Sequence, residues 1–457
     1  MSAGTRPASP AVRDAAFFLI ALSLLVTMSL SLVSPSAAQS QTTRITRVVS
    51  PGGIEAWLVR DRTLPLIAME FAFIGGAAQD PADKPGVASL MSSLLDEGAG
   101  DLDAAAFHRA VADKAMEISF DANRDEVRGS LRTLSEHQDA AFDLLRMAVN
   151  TPRFDSEAIE RIRAAQLASL RRRSTDPNSI ASEKWFATAF PNHPYGRPVD
   201  GTLASVAAIT RDDLVSFAKK TLARGSLKVA VVGDISPEDL GRELDRVFGT
   251  LPAKADLAKV ADVTPKGIGT VDVIPMEVPQ SVVLMGTGGL TRKDPDFIPA
   301  YVLNHILGGS AFSSRLFKEV REARGLAYSV YSYQVALDHT GLWFAGTATK
   351  NERAGESIRI IGDEFRKMLD DGPAQSELDE AKSYLTGSYA LRFDTSSKIA
   401  GQLLQIQIDD LGIDYIDKRN SLIEAVSLED LKRVARRLTD AKNALIVVVG
   451  RPQGIGG

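Results

Sequence analysis

The stretch Leu307–Tyr333, LGGSAFSSRLFKEVREARGLAYSVYSY, reads as loop, helix, stop and strand. Gly308 and Gly309 open a small-residue loop. Leu316, Phe317 and Val320 have the spacing of one helix face. Gly325 follows a charged run and suits a helix stop, because glycine enters the left-handed conformation at little cost. From Ala327 onward, tyrosines and small residues alternate as in a strand. Arg321 is therefore expected on the last helical turn and Tyr328 at the start of the strand that folds back. A cation and a phenol on either side of one turn can converge on one spot. The same residues also allow a plainer reading: Arg321 and Arg324 as a solvated helix end facing its own dipole, and Tyr328 as a core aromatic.

This stretch resembles the C-terminal-half signature of the insulinase/pitrilysin family, the inverzincin metallopeptidases. The resemblance runs from about Thr46 to about Gly450. It implies that Arg321 and Tyr328 match the arginine and tyrosine with which the family holds a peptide substrate at zinc.

Composition narrows the classes. The 457 residues allow two to four domains. Charge is near balance, with 53 basic against 58 acidic residues, so nucleic acid is not an expected partner. Arg171, Arg172 and Arg173 form the one tight basic run and read as a solvated helix end. Cysteine is absent, which excludes disulfides, thiolate metal sites and a cysteine nucleophile.

Arg6 and Arg13 precede an apolar run from about Ala15 to Val33, and Ser36-Ala37-Ala38 offers the small residues of a cleavage site. Residues 1–38 are expected to be a signal peptide, giving a periplasmic or secreted chain. The run also approaches membrane-spanning length, so an uncleaved anchor is the alternative. No comparable apolar run follows.

The chain reads as a doubled unit. Thr210 and Asp213 open a helix followed by the strand Val229–Gly233; Ser427 and Asp430 open a helix followed by the strand Ile446–Gly450. Each pair forms a capping-box-like start. Gly75-Gly76 and Gly288-Gly289 each end a strand-like run and precede an Asp-Pro turn. Long helices are expected around Leu131–Val149, Ile159–Leu170, Ile358–Leu369 and Leu378–Leu391. This gives an N-terminal domain at 44–251, a linker at 252–267 and a C-terminal domain at 268–451. The order suits an α+β fold, with helices on one face of a largely antiparallel sheet. The resemblance implies the same: two α/β-roll halves forming a clam-like half-chamber.

Active members of the family carry H-x-x-E-H on a helix of the first half. The equivalent helix here should follow Gly86, in GVASLMSSLLDEG. Ser89 stands at the first histidine position, Ser92 at the glutamate and Ser93 at the second histidine. A third ligand, a glutamate, is expected near Leu167, but no carboxylate lies between Arg161 and Thr175. Independently of any family, no two of His108, His137, His193, His305 and His339 are three or four residues apart. No local zinc site is legible and no cofactor is expected on this chain. The serines lack a G-x-S-x-G elbow and a nearby histidine, so a serine hydrolase has no support. Asn192–Pro198 resembles a family loop and reads as a structural turn, and Asp370-Asp371 and Asp409-Asp410 read as solvated helix ends.

A chain with the substrate-holding pair but no metal site is expected to be the non-catalytic subunit of a heterodimeric zinc peptidase that degrades or processes peptides. Its partner would be a zinc-bearing homologue, and it would be inactive alone. The alternatives are a non-enzymatic scaffold subunit or a stand-alone peptide-binding protein.

Overall fold

The computed structural model describes residues 44–438 and 444–455. The expected signal peptide, residues 1–38, lies outside the described residues. From Ile45 onward the chain is one compact unit built on two large sheets.

The first sheet uses β1 (Ile45–Val49), β2 (Glu55–Arg60), β3 (Leu66–Ile74), β4 (Glu117–Ala122), β5 (Glu126–Leu134) and β6 (Leu227–Gly233). Their spatial order is β1-β2-β6-β3-β5-β4. The second uses β7 (Val271–Pro275), β8 (Gln280–Gly288), β9 (Ala327–Leu337), β10 (Thr340–Lys350) and β11 (Leu445–Gly450), in the order β9-β10-β8-β11-β7. Apart from β1 the two orders are the same. Both sheets are antiparallel except for one parallel pair each, β2 with β6 and β7 with β11. The duplication read from the capping pairs is thus present in the topology. Thr210 with Asp213 and Ser427 with Asp430 form the expected reciprocal caps.

Several strands are apolar almost without interruption: LIAMEFAFI in β3, LKVAVVG in β6 and LIVVVG in β11. Such runs belong to strands buried on both faces. One face of each sheet packs on helices of its own half. The other face is covered by a helix from the opposite half. Helix α3 (Pro177–Ala189) crosses β8 and β11, and α4 (Ser396–Ile408) crosses β3 and β6. Trp185 of α3 donates from Nε1 to the Leu445 carbonyl at 3.0 Å, and Gln407 of α4 donates to the Val229 carbonyl at 2.8 Å. Each half therefore completes the core of the other.

Three local expectations need correction. The helix expected over Leu131–Val149 is a strand followed by a helix: Leu131 lies on β5 and the helix spans Gln138–Asn150. After Glu126, itself buried, Val127, Gly129, Leu131 and Thr133 are the buried residues of β5, a period of two that the nearby helical leucines obscure. Gly308 and Gly309 end a π-helical turn, His305–Gly309, and the loop starts only at Ser310. Asp409 is not a solvated end: it lies 3.4 Å from Arg292, and burial raises its pKa.

Among the described residues no helix is long and apolar enough to cross a membrane.

Candidate substrate-binding edge and degenerate metal helix

Arg321 sits in the last turn of a second π-helical segment, Phe317–Glu322. The wider turn closes through Ala323 N to Lys318 O at 2.9 Å, five residues back. Gly325 then reverses the chain at φ +57°, the left-handed conformation its position requires. Leu316, Phe317 and Val320 anchor the segment in the core. The reversal leads into β9, the edge strand of its sheet, which starts at Ala327.

This brings the two expected residues together. The Arg321 Cζ lies 4.4 Å from the Tyr328 ring centroid and 4.9 Å from that of Phe317. The guanidinium is held by two aromatic faces and touches no carboxylate among the described residues, so its N–H groups stay available. Arg324, three residues on, behaves differently: it pairs with Glu319 at 2.5 Å and donates to the Glu319 carbonyl at 2.8 Å, closing the helix end. The plain solvated-end reading fits Arg324 and not Arg321. Tyr328 is 80 % exposed, so it is not a core aromatic.

Two more tyrosines follow on β9. The Tyr331 and Tyr333 centroids are 5.9 Å apart, and Tyr333 stacks on Phe344 at 5.2 Å. Burial pushes the hydroxyl pKa of both upward, that of Tyr333 to about 12, so each keeps its proton as a donor.

The helix that follows Gly86, α1 (Val87–Ser92), is where the metal-binding motif would lie. Asp80 caps its start, accepting from Gly86 N at 2.7 Å and Ala88 N at 2.9 Å. Its hydroxyls are spent on protein partners. Ser89 donates to Asp200 Oδ1 at 2.9 Å, while Ser92 and Ser93 donate back to the Ser89 carbonyl at 3.0 and 2.9 Å. Asp200 is bridged in turn by Arg173, which also reaches Glu183 at 3.2 Å. Arg173 ends α2 (Ser156–Arg173), the helix expected to carry the third ligand, and Leu167 on that helix packs against the core. The positive charge beside Ser89 therefore belongs to a guanidinium. Three neutral hydroxyls already hydrogen-bonded within the protein are not a zinc donor set. Among the described residues, no three His, Cys, Asp or Glu side chains are grouped to hold a metal ion.

Sequence reasoning missed Asp200 and took Arg173 for part of a solvated helix end. Ser89 and Asp200 are 111 residues apart, and nothing local links them. It also took Asn192–Pro198 for a turn alone. In the fold Tyr195 is buried, and its hydroxyl donates to Asp125 at 2.6 Å; Arg197 donates to the carbonyls of Asp80 and Ala78 at 2.9 and 3.2 Å. The loop thus ties α3 to the strand end before α1.

Duplicated α+β halves, exchanged helices and a serine-substituted motif helix define a metallopeptidase-type chain with a degenerate metal position. Residues 66–203 match the family model Insulinase (Peptidase family M16), and residues 208–385 match Peptidase M16 inactive domain. The chain belongs to this family. It is 26 % identical over 389 residues to the protein named Non-peptidase homolog YmxG of Helicobacter pylori, covering 84 % of this chain and 89 % of that one. It is 22 % identical over 398 residues to the mitochondrial-processing peptidase subunit beta of Lentinula edodes, covering 84 % and 85 %. A crystal structure of a peptidase M16 inactive domain from Pseudomonas fluorescens superposes with a TM-score of 0.84 at 29 % identity, covering 90 % of this chain and 98 % of that one. A protease structure from Helicobacter pylori superposes at 0.81 with 19 % identity, covering 89 % and 99 %.

Proposed function

We propose that this chain is the non-catalytic, substrate-binding subunit of a two-chain zinc peptidase acting on peptides. The observation that carries the reading is an asymmetry between the halves. The second half presents Arg321 without a carboxylate partner among the described residues, and Tyr328 mostly in solvent at a sheet edge. The first half commits Ser89, Ser92 and Ser93 to internal hydrogen bonds.

In this reading the partner is a homologous chain that supplies the zinc. Tyr328 donates its hydroxyl to the substrate oxygen that gains charge in the transition state. Arg321 hydrogen-bonds a substrate backbone carbonyl. Tyr331 and Tyr333 extend the contact along the edge. The relatives support both halves of the proposal, one being named a non-peptidase homolog and another a peptidase subunit.

The test is reconstitution. The purified chain is assayed on a quenched peptide alone and mixed with a zinc-bearing homologue from the same source. We expect no turnover alone, turnover in the mixture, and loss on the order of a hundredfold with Arg321→Ala or Tyr328→Phe. Unchanged activity with both substitutions rejects the assigned roles. A mixture without turnover, together with a stable complex, returns the scaffold reading.

A further inference from the structure

Near the serine-substituted helix lies a half-open cavity of about 380 Å³ whose wall carries Arg124, Arg173, Lys184 and Arg197. Two of these cations are matched: Arg173 by Asp200 and Glu183, and Lys184 by Asp272 at 3.3 Å. The other two are not. Arg124 has its Cζ 3.8 Å above the Phe186 ring and donates one long bond, from Nε to the Tyr195 carbonyl at 3.4 Å. Arg197 spends its outer nitrogens on two backbone carbonyls, and its buried Nε has no partner among the described residues. Neither guanidinium touches a carboxylate among the described residues.

The nearby acids do not fill the gap. The oxygens of Asp125 accept from Tyr195 Oη and Asp338 N, and those of Asp80 from Gly86 N and Ala88 N. They favour the charged guanidinium at a distance while bonding elsewhere. Burial pushes the pKa of both Arg124 and Arg197 down, the direction expected of a charge short of a counter-ion. Buried arginine is ordinarily held by a carboxylate fork.

We propose that this cavity is an oxyanion-binding site, in which a carboxylate or phosphate group is held by the free fork of Arg124 beside Lys184 and Arg197. The planar guanidinium, fixed by its stack on Phe186, suits a bidentate pair with two oxygens. Glu183, also on the cavity wall, is already paired with Arg173 at 3.2 Å.

The site is tested by calorimetry on the purified protein without any partner subunit. The probes are inorganic phosphate, a short peptide with a free C-terminal carboxylate, and its C-terminal amide. We expect phosphate or the free-acid peptide to bind and to raise Tm, with the amide at least tenfold weaker than the acid. Preference for the acid over its amide identifies a peptide terminus as the source; binding of phosphate alone identifies a free anion. Two variants check the location. Arg124→Gln removes the fork, and Ser182→Glu, at an exposed position of the same wall, places a competing carboxylate there without touching the core. Each should weaken binding at least tenfold. No binding of either oxyanion, or binding unchanged in both variants, overturns the proposal. Because no turnover is measured, its failure leaves the peptidase-subunit reading standing, and the converse holds.

Discussion

The guanidinium of Arg321 lies over the ring of Tyr328, Cζ 4.4 Å from its centroid, with the phenol at an exposed strand start. The contact fixes a donor-rich plane and a hydroxyl side by side without using the polar groups of either. Because Tyr328 contributes little to the core, Tyr328→Phe should leave Tm within about 1 °C while activity of the reconstituted enzyme falls about a hundredfold. Arg321→Lys keeps the charge but loses the planar stack, and should fall by at least tenfold. Thermal melts and quenched-peptide rates on the same samples check both. A large drop in Tm for Tyr328→Phe would mean that the residue is structural.

Restoring the motif by Ser89→His, Ser92→Glu and Ser93→His should not restore zinc binding. Leu167 supplies no third ligand, and Arg173 already holds a positive charge against Asp200 beside the helix. Ser92 is 1 % exposed, so Ser92→Glu alone buries an unpaired carboxylate and should destabilise by about 3–5 kcal/mol. Chemical denaturation measures the cost, and metal analysis after dialysis against zinc measures occupancy. Stoichiometric zinc in the triple variant would refute the claim.

Part of this was legible in sequence and part was not. The capping pairs Thr210/Asp213 and Ser427/Asp430 and the buried strands after them are local patterns, and they exposed the duplication directly. The Arg321–Gly325–Tyr328 turn was legible for the same reason: one glycine at φ +57° dictates the reversal. The helix exchange was not. Trp185 meets Leu445 across 260 residues, and the one local sign was the unbroken apolarity of β3, β6 and β11. Asp200 was missed because its meaning lies wholly in its partners, Ser89 and Arg173. Arg124 and Arg197 carry no local signal in the sequence, because their meaning lies in the half-buried cavity wall that the fold assembles.

Stability should pass through a maximum on the acid side of neutrality. Burial pushes Glu70 and Asp80 up to about 7 and Asp338 to about 6, against about 4 in an unfolded chain. The folded state then holds protons that the unfolded state has lost, so stability falls as pH rises from about 4 to about 7. Asp430 works in the opposite sense. The Ser427 hydroxyl and backbone hold it at about 2, so its contribution is lost as pH falls below about 4. Tm should therefore be higher near pH 5 than near about pH 8. Glu70→Gln, which carries no titrating proton, should flatten that drop. Identical slopes for the two proteins would remove Glu70 from the account.

The exchanged helices should make the halves unfold together, and Trp185 is the place to test it. Its ring packs against Phe344 of the second half with centroids 4.5 Å apart, and it is fully buried. The approach is possible because position 286 is glycine: a Cβ there would stand 2.5 Å from Trp185 Cε2 and 2.6 Å from Phe344 Cε1. Trp185→Ala removes the ring and leaves the Leu445 carbonyl without its indole donor, and should cost about 3–5 kcal/mol. Gly286→Ala forces both rings aside and should cost about 1–3 kcal/mol. The two share a contact, so the double variant should lose less than the sum, by about 0.5 kcal/mol or more. Fluorescence of the tryptophans, Trp57 and Trp185 in the first half and Trp343 in the second, is read against circular dichroism during denaturation. Because each sheet is closed by the other half's helix, the two signals should coincide in the wild type. Two separated transitions would show that the halves fold independently and that the exchange is not what joins them.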